Sequence, residues 1–537
     1  MPLPKFIAAV EVDQRQAVIH ATDKLKEVLG GSWTIDDTRD VATEATKDEP
    51  HVNLMMPVSG QIWLAADGFP ALARVLWKLR EKIVEEWDLP ATFAVVPLDG
   101  KDFDTACKEL EKGVRAEKDA KAGENGRASL PGMAHCRIQP TKAANRWIFR
   151  HEGPDQDHRR ALISNSSERR RKKGNKTLDL FRKKFEVAGG PGYLNGYGRW
   201  PEQLEHLVAS DSDKFIALIK ADADGMGQLT SSLIWTDLVK EHKWDKAEWD
   251  TTADEVGWSS PAEKDSWAPQ EIMTAFCLAV DGCLHDAIDS AVNGVLTKRP
   301  GKADDYFPVA PIVIGGEDIW IVCRRDLALE LAMELGEAYA KSARSNGVLR
   351  DALATLPKED RPELTLSFGI LFAKCGFPIE IMGDLAEELL RSAKDRRSGA
   401  EPKEGWVDYH WLDSTGRQSI SEYRRQGLAY MDAGREFLLY TRPWRLSQLG
   451  PALKHARAFR DGIPPGKLAQ LETAMRLGTD LSDLAYRQWR LRLDKKGRQA
   501  LDGAGINERS PWGPPNPTGG FSTRLLELAE LAAIVGG

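Results

Sequence analysis

Cysteine is scarce: the 537 residues hold six, and no two stand as a CxxC pair. That usage argues against a disulfide framework or a zinc ribbon and fits a reducing cytoplasm. No apolar run approaches the ~18 residues that cross a bilayer, so no membrane is expected as a partner. The opening MPLPKFIAAVEVDQRQ turns polar too early to supply the apolar stretch of a signal peptide. Positive charge is not in excess either. Lys+Arg number 74 against 81 Asp+Glu, a net charge of −7, which argues against a surface that coats nucleic acid throughout but leaves room for local basic patches. What is present is a globular composition, 42% hydrophobic and 29% charged, in a chain long enough for roughly three or four domains.

Residues 1–120 alternate strand and helix patterns. KFIAAVEV (5–12) reads as a buried strand. A helical spacing follows over 14–29 and is expected to stop at Gly30-Gly31, and strands near 62–64 and 92–97 are followed by helices. Residues 121–212 form a basic linker or small domain. Between Arg159 and Lys184 there are 11 basic and 2 acidic residues, centred on Arg169, Arg170, Arg171, Lys172 and Lys173. That run is either a solvated, charged helix or a phosphate-binding arm for RNA or nucleotide. From 213 to 414 the pattern is regular, with one excursion at about 240–268 whose four tryptophans are read as anchors of an insertion. Two strands separated only by Gly315-Gly316-Glu317-Asp318 form a hairpin, with helices before and after it. This is the split β-α-β-β-α-β arrangement, an α/β (α+β) fold of ferredoxin-like type. Beyond 415, helix formers punctuated by Pro and Gly predict an all-α C-terminal domain, with Arg442-Pro443-Trp444 as a structural joint.

Two acidic clusters carry the chemistry. Asp222 and Asp224 end an apolar strand in KADADGMG, and Glu317 and Asp318 occupy the hairpin turn in VIGGEDIWI. In the split fold these strands are neighbours, so the clusters face each other. Carboxylates gathered this way repel unless cations lie between them, which points to divalent metal and phosphoryl-type transfer. Gly315 and Gly316 permit a tight turn and a close approach of nucleotide to the backbone.

In these motifs the sequence resembles the large subunit of type III CRISPR interference complexes, the CRISPR polymerase family. IALIKADADGMG resembles its metal-binding first palm strand, and VIGGEDIWIV its GGDD hairpin with Glu for the first Asp. LTLSFGILFAKCGFPIEIMGDLAEELLRSAKD (364–395) and FLLYTRPWRLSQL (437–449) resemble later segments, the latter of the Cmr-type branch. VEVDQRQAVIHATDKLKEVLGGS (10–32) is similar to the opening of a degenerate first palm. The resemblance implies two ferredoxin-like palm domains related to GGDEF cyclases, the second catalytic, which join ATP into cyclic oligoadenylates with Mg²⁺ or Mn²⁺. It implies Asp222, Glu317 and Asp318 as catalytic carboxylates, with Asp222, Glu317 and the Ala223 carbonyl as principal metal ligands. Asp318 completes the set, and Asp224 binds metal or positions the loop. Gly225, Gly227, Gly315, Gly316, Ser367, Gly369 and Lys394 are assigned to nucleotide. The implied partners are other effector subunits with guide and target RNA.

The family's HD nuclease is not found. His285-Asp286, the only His-Asp dipeptide, lies in a helix without companion ligands, so DNA cleavage is not expected. No zinc is expected, since His135 and Cys136 stand alone. The first palm shows SGQIWLAADG where the second has GGED, with only Asp67 nearby, and reads as a non-catalytic partner lobe. A catalytically silent scaffold and a free-standing antiviral cyclase are the competing expectations.

Overall fold

The computed structural model describes residues 3–19, 22, 24–58, 60–122, 146–152, 157–163, 166–176, 196–209, 214–241, 268–399, 403–412, 419–432, 434–476, 479–516 and 519–535. Trp244, Trp249, Trp258, Trp267, the His135-Cys136 pair and much of the linker lie outside them.

The first lobe runs β1 (Phe6–Val12), α1 (Arg15–Ile19), α2 (Leu25–Lys47), β2 (Val52–Val58), β3 (Gln61–Ala66), α3 (Phe69–Arg80), β4 (Ala91–Pro97) and α4 (Phe103–Ala122). Its antiparallel sheet has the order β2-β3-β1-β4. Two features differ from expectation. Gly30-Gly31 does not stop a helix; α2 continues through it to Lys47. The reason is tertiary: helix α5 (166–176) lies against α2, and a Cβ on Gly30 would sit 1.9 Å from the Arg170 carbonyl oxygen, as one on Gly174 would sit 2.0 Å from that of Lys26. Strand β2 was not expected, because Pro57 and a bulge between Leu54 and Met56 blur its alternation. With β2 in place, this lobe too has the split arrangement.

A hairpin of β5 (Arg146–Glu152) and β6 (Asp157–Ile163) precedes α5. The second lobe then repeats the first. It comprises β7 (Phe215–Asp224), α6 (Met226–Ser232), α7 (Trp235–Glu241), α8 (Pro269–Thr297), β8 (Val309–Gly315) and β9 (Asp318–Arg324). After these come α9 (Ala328–Ser345), α10 (Gly347–Ala354), β10 (Thr365–Lys374), α11 (Ile379–Ser398) and β11 (Trp406–Trp411). The sheet order β8-β9-β7-β10 matches β2-β3-β1-β4 strand for strand, and β11 and the short β14 (Trp444–Arg445) extend its far edge.

The C-terminal domain contains α12 (Ile420–Gly427), α13 (Leu446–Gly462), α14 (Pro465–Met475), α15 (Thr479–Leu491), α16 (Lys495–Gly503) and α17 (Leu525–Ile534). It is not all-α as expected: a three-stranded sheet of β12 (Ala429–Asp432), β13 (Arg435–Leu438) and β15 (Phe521–Ser522) lies alongside the helices, its hairpin turning at Gly434, whose φ is 74°. The expected joint at 442–444 is real. Buried Arg442 donates to Glu530 Oε2 at 2.5 Å, and its amide donates to Glu527 Oε1 at 2.9 Å, tying the palm-edge strand to α17.

The two lobes meet through directional bonds over an apolar core shared by both. The Asp104 carboxylate at the start of α4 accepts from the Trp235 amide at 2.7 Å and from Thr236 Oγ1 at 2.9 Å. Thr274 Oγ1 on α8 donates to the Met55 carbonyl at 2.7 Å, and Arg39 on α2 pairs with Asp281 on α8 at 3.5 Å. Among the described residues no helix is long and apolar enough to cross a membrane.

Candidate active site

Strand alternation sends Lys220, Asp222 and Asp224 to one face of β7, and one face of α11 answers each. Lys220 Nζ meets Glu387 Oε2 at 3.0 Å, Lys394 Nζ meets Asp222 Oδ1 at 2.7 Å, and Arg397 Nε meets Asp224 Oδ2 at 3.3 Å. On the other side of β7 the register pairs Asp222 with Asp318, and the Ala223 amide donates to the Glu317 carbonyl at 3.2 Å. The hairpin turn depends on Gly316, whose φ of 64° is left-handed, and a Cβ there would sit 3.4 Å from Val58 of the first lobe. The expected juxtaposition of the two acidic clusters is therefore present.

The electrostatics follow from that crowding. Glu317 and Asp318 reach solvent, yet the flanking lobes remove enough water to push the Glu317 carboxyl up to about 7, helped by the charges of Asp222 and Asp318. Asp318 is raised by burial and then by Asp222, with Arg15 of the first lobe opposing. Asp222 is raised by burial and pulled back by Lys394. Asp222 raises the proton affinity of both Glu317 and Asp318, and the three offer oxygen donors of the kind a hard divalent cation takes. Among the described residues no three such groups are drawn close enough to share one ion; Lys394 supplies the positive charge beside Asp222.

Other expected residues have different placements. Asp224 is buried and accepts from Thr365 Oγ1 and Ser367 Oγ at 2.8 Å each, so it anchors β7 to β10. Ser367 is fully buried and also accepts from the Trp406 amide. Gly369 lies under α11: a Cβ there would sit 2.1 Å from the Ala386 carbonyl. Gly225, at φ 78°, begins α6, and Gly227 is exposed beside open space. Of the residues assigned to nucleotide, Lys394 and the hairpin glycines face the carboxylates, and Ser367 and Gly369 belong to the strand–helix packing beneath.

The basic run is largely engaged within the molecule, with Lys172 left exposed beside its helix neighbour Glu168. Arg169 lies over the Trp87 ring at 4.3 Å and reaches Glu86 at 3.3 Å. Arg170 is buried, Arg171 faces Glu27 at 3.5 Å, Lys172 pairs with Glu168 at 2.9 Å, and Lys173 pairs with Asp37. His285 faces Asp281 at 3.7 Å within α8.

The sequence predicts a first lobe that helps to form the nucleotide pocket, but names none of the residues it contributes. A cavity of about 110 Å³ beside Asp318 is lined by Arg15, Ile19, Ser32 and Asp36 from that lobe and by Trp320 from the second. Trp320 in turn rests on an unusual residue: Lys220 is 1% exposed, with Nζ 3.6 Å from the Trp320 ring centre, and burial lowers its proton affinity. A lysine inside the apolar run FIALIKA was the available signal. The first lobe also copies the frame of the site. Its Val12 amide donates to the Gly60 carbonyl at 2.9 Å, as Ala223 does to Glu317. Glu11 pairs with Lys118 at 2.6 Å, and Thr92 donates to Asp13 at 2.9 Å. Gly60-Gln61 stands where the second lobe has Glu317-Asp318, so the copy lacks the hairpin acids. Asp67 sits beyond β3, 4.0 Å from His51, away from this turn.

Residues 270–400 match the family model described as Cas10/Cmr2, second palm domain. That part of the second lobe is similar to a Cas10/Cmr2 second palm domain. The match takes in the Glu317-Asp318 hairpin and Lys394 of the palm; Asp222 lies before it. No curated protein matches the chain by sequence. Among solved structures, Csm1 in T. onnurineus aligns with a TM-score of 0.51 at 16% identity, over 99% of this chain and 69% of that one. The Csm1-Csm4 cassette in complex with one ATP aligns with a TM-score of 0.50 at 15% identity, over 99% and 70%. The same cassette in complex with AMPPNP gives 0.41 at 16% identity, and there this chain spans 54% of the other's length. At such identities the first two likenesses are in fold alone.

Proposed function

We propose that the chain is the nucleotidyltransferase subunit of a type III CRISPR effector complex, converting ATP to cyclic oligoadenylates when target RNA binds. The observation that carries this reading is the gathering of Asp222, Glu317 and Asp318 on neighbouring strands of a lobe similar to a Cas10/Cmr2 second palm domain, with Lys394 beside them. The structural likeness to an ATP-bound Csm1-Csm4 cassette supports ATP as substrate and a Csm4-like subunit as partner.

Asp222, Glu317 and Asp318, with the Ala223 carbonyl, would hold Mg²⁺ or Mn²⁺. When bound, such ions favour deprotonation of an attacking 3′-hydroxyl and stabilise charge on the α-phosphate as pyrophosphate leaves. The chain itself supplies positioning and charge. Lys394, freed from Asp222, is placed for a triphosphate oxygen, and the exposed Gly227 keeps the start of α6 clear of it. Arg397, Thr365 and Ser367 fix Asp224 and with it the end of β7. Arg15, Ser32 and Trp320 wall the adjacent cavity, so the first lobe acts as a partner that lacks its own hairpin acids.

The test is incubation of the purified complex with labelled ATP, Mg²⁺ and target RNA, followed by mass spectrometry. Cyclic or linear oligoadenylates are expected from the wild type. Their loss is expected from Glu317→Ala/Asp318→Ala and from Asp222→Ala. Retained synthesis in either variant would overturn the site assignment.

A further inference from the structure

The charges at 169–173 are each paired, stacked or buried within the molecule, and unpaired positive charge lies elsewhere. One place stands out. The segment 487–498, which ends α15 and opens α16, holds Arg487, Arg490, Arg492, Lys495, Lys496 and Arg498 against Asp494 alone, a local charge of 6 − 1 = +5 in a chain of net −7. Arg490 is buried against Asp502, and Arg487 faces Asp483 at 4.0 Å. The other four, Arg492, Lys495, Lys496 and Arg498, are exposed, and their side chains meet no carboxylate among the described residues. The local acid, Asp494, is occupied as the cap of α16, accepting from the Gly497 amide at 2.8 Å.

The corner that carries them is rigid. Lys467 Nζ donates to the Arg492 carbonyl at 2.6 Å, and Trp489 Nε1 donates to the Lys467 carbonyl at 2.7 Å. Gly497 lets α16 press on α13, since a Cβ there would sit 2.8 Å from the Gly462 carbonyl. Two lysines in the first turn of α16 also oppose the helix dipole, an arrangement unfavourable to the chain alone and relieved by an anion. Four fixed, unneutralised cations within seven residues match the charge density of a phosphodiester backbone, which is bound by such charges without reading bases.

We propose that the α15–α16 corner, through Arg492, Lys495, Lys496 and Arg498, binds the phosphate backbone of single-stranded RNA. The choice of RNA rests on the RNA-guided reading above and is independent of the cyclase chemistry. The test is fluorescence anisotropy of a labelled, unstructured single-stranded RNA against the full chain over a salt series. Each neutralised phosphate contributes about −0.7 to the slope of log affinity against log salt. Arg492→Gln/Lys495→Gln/Lys496→Gln/Arg498→Gln is therefore expected to flatten the slope by about 2.8, with an unchanged thermal midpoint. Lys172→Gln, at a paired charge, should leave the slope as it is. A flattening smaller than about 1.4, two phosphates' worth, overturns the proposal. An unchanged slope with loss of an acidic protein subunit from the complex also overturns it and gives the surface, with exposed Leu491 beside it, to that protein. Glu317→Ala/Asp318→Ala should keep the full slope, so failure of the cyclase reading and failure of this one are distinguishable.

Discussion

Replacing Lys220 by Met tests whether the support beneath Trp320 is held by charge. The ammonium is 1% exposed, 3.0 Å from Glu387 and 3.6 Å from the Trp320 ring centre. Breaking a buried ion pair by removing one partner costs about 3–5 kcal/mol. The Glu387 side chain, at 29% exposed, rehydrates in part, and Met fills the space of the lysine stem, so about 2 kcal/mol is expected for Lys220→Met. Glu387→Met strands the buried cation and should cost about 3 kcal/mol. Removing both leaves an apolar contact under Trp320, and the double variant should lie near the wild type, a coupling of about 5 kcal/mol. The assay is native-state hydrogen exchange at the β7 amides, which reads the local opening free energy in a chain of several lobes. Additivity of the two substitutions within about 0.5 kcal/mol would refute the pair.

The pH dependence of metal affinity follows from Glu317. With its carboxyl at about 7, above the ordinary 4.5, the proton is held below that pH and must leave before a cation binds. Mg²⁺ affinity should therefore tighten as pH rises through about 7, with proton release visible as a buffer-dependent heat in calorimetry at pH 6.5, and Glu317→Gln should remove that heat. The two glycines Gly369 and Gly227 should behave oppositely. Gly369→Ala drives a methyl into the α11 backbone, 2.1 Å from a carbonyl, and should lose about 1–3 kcal/mol together with the seating of Lys394. Gly227→Ala enters open space and should change stability by no more than about 0.5 kcal/mol, measured by denaturant unfolding.

The second lobe was legible because its strands are short apolar runs broken by acids at strand ends, so the hairpin and the facing of Asp222 with Asp318 could be read from order alone. What escaped was decided by contacts distant in sequence. Gly30-Gly31 carries the signature of a helix stop, and only the approach of α5 shows why a continuous helix needs it. Arg169–Lys173 carries the signature of a phosphate arm, and only Glu86, Glu27, Glu168 and Asp37 show where those charges go. Ser367 and Gly369 lie beside the correct strand, but alternation buries them. Arg15 reaches the carboxylates through an interface between lobes, which no local pattern encodes.

The bonds that seat one lobe on the other have a thermodynamic meaning. Asp104 with Trp235 and Thr236, Thr274 with Met55, and Arg39 with Asp281 amount to a latch of about 4 kcal/mol if each contributes about 1 kcal/mol net. Through these bonds alone, a spontaneously parted pair of lobes would make up about one molecule in a thousand. A signal arriving from outside the chain must therefore either supply that much differential binding or act within the latched state. The second route leads through the exposed hairpin turn and the free end of α11, where a displacement of Lys394 from Asp222 changes the charge of the cleft without moving either lobe.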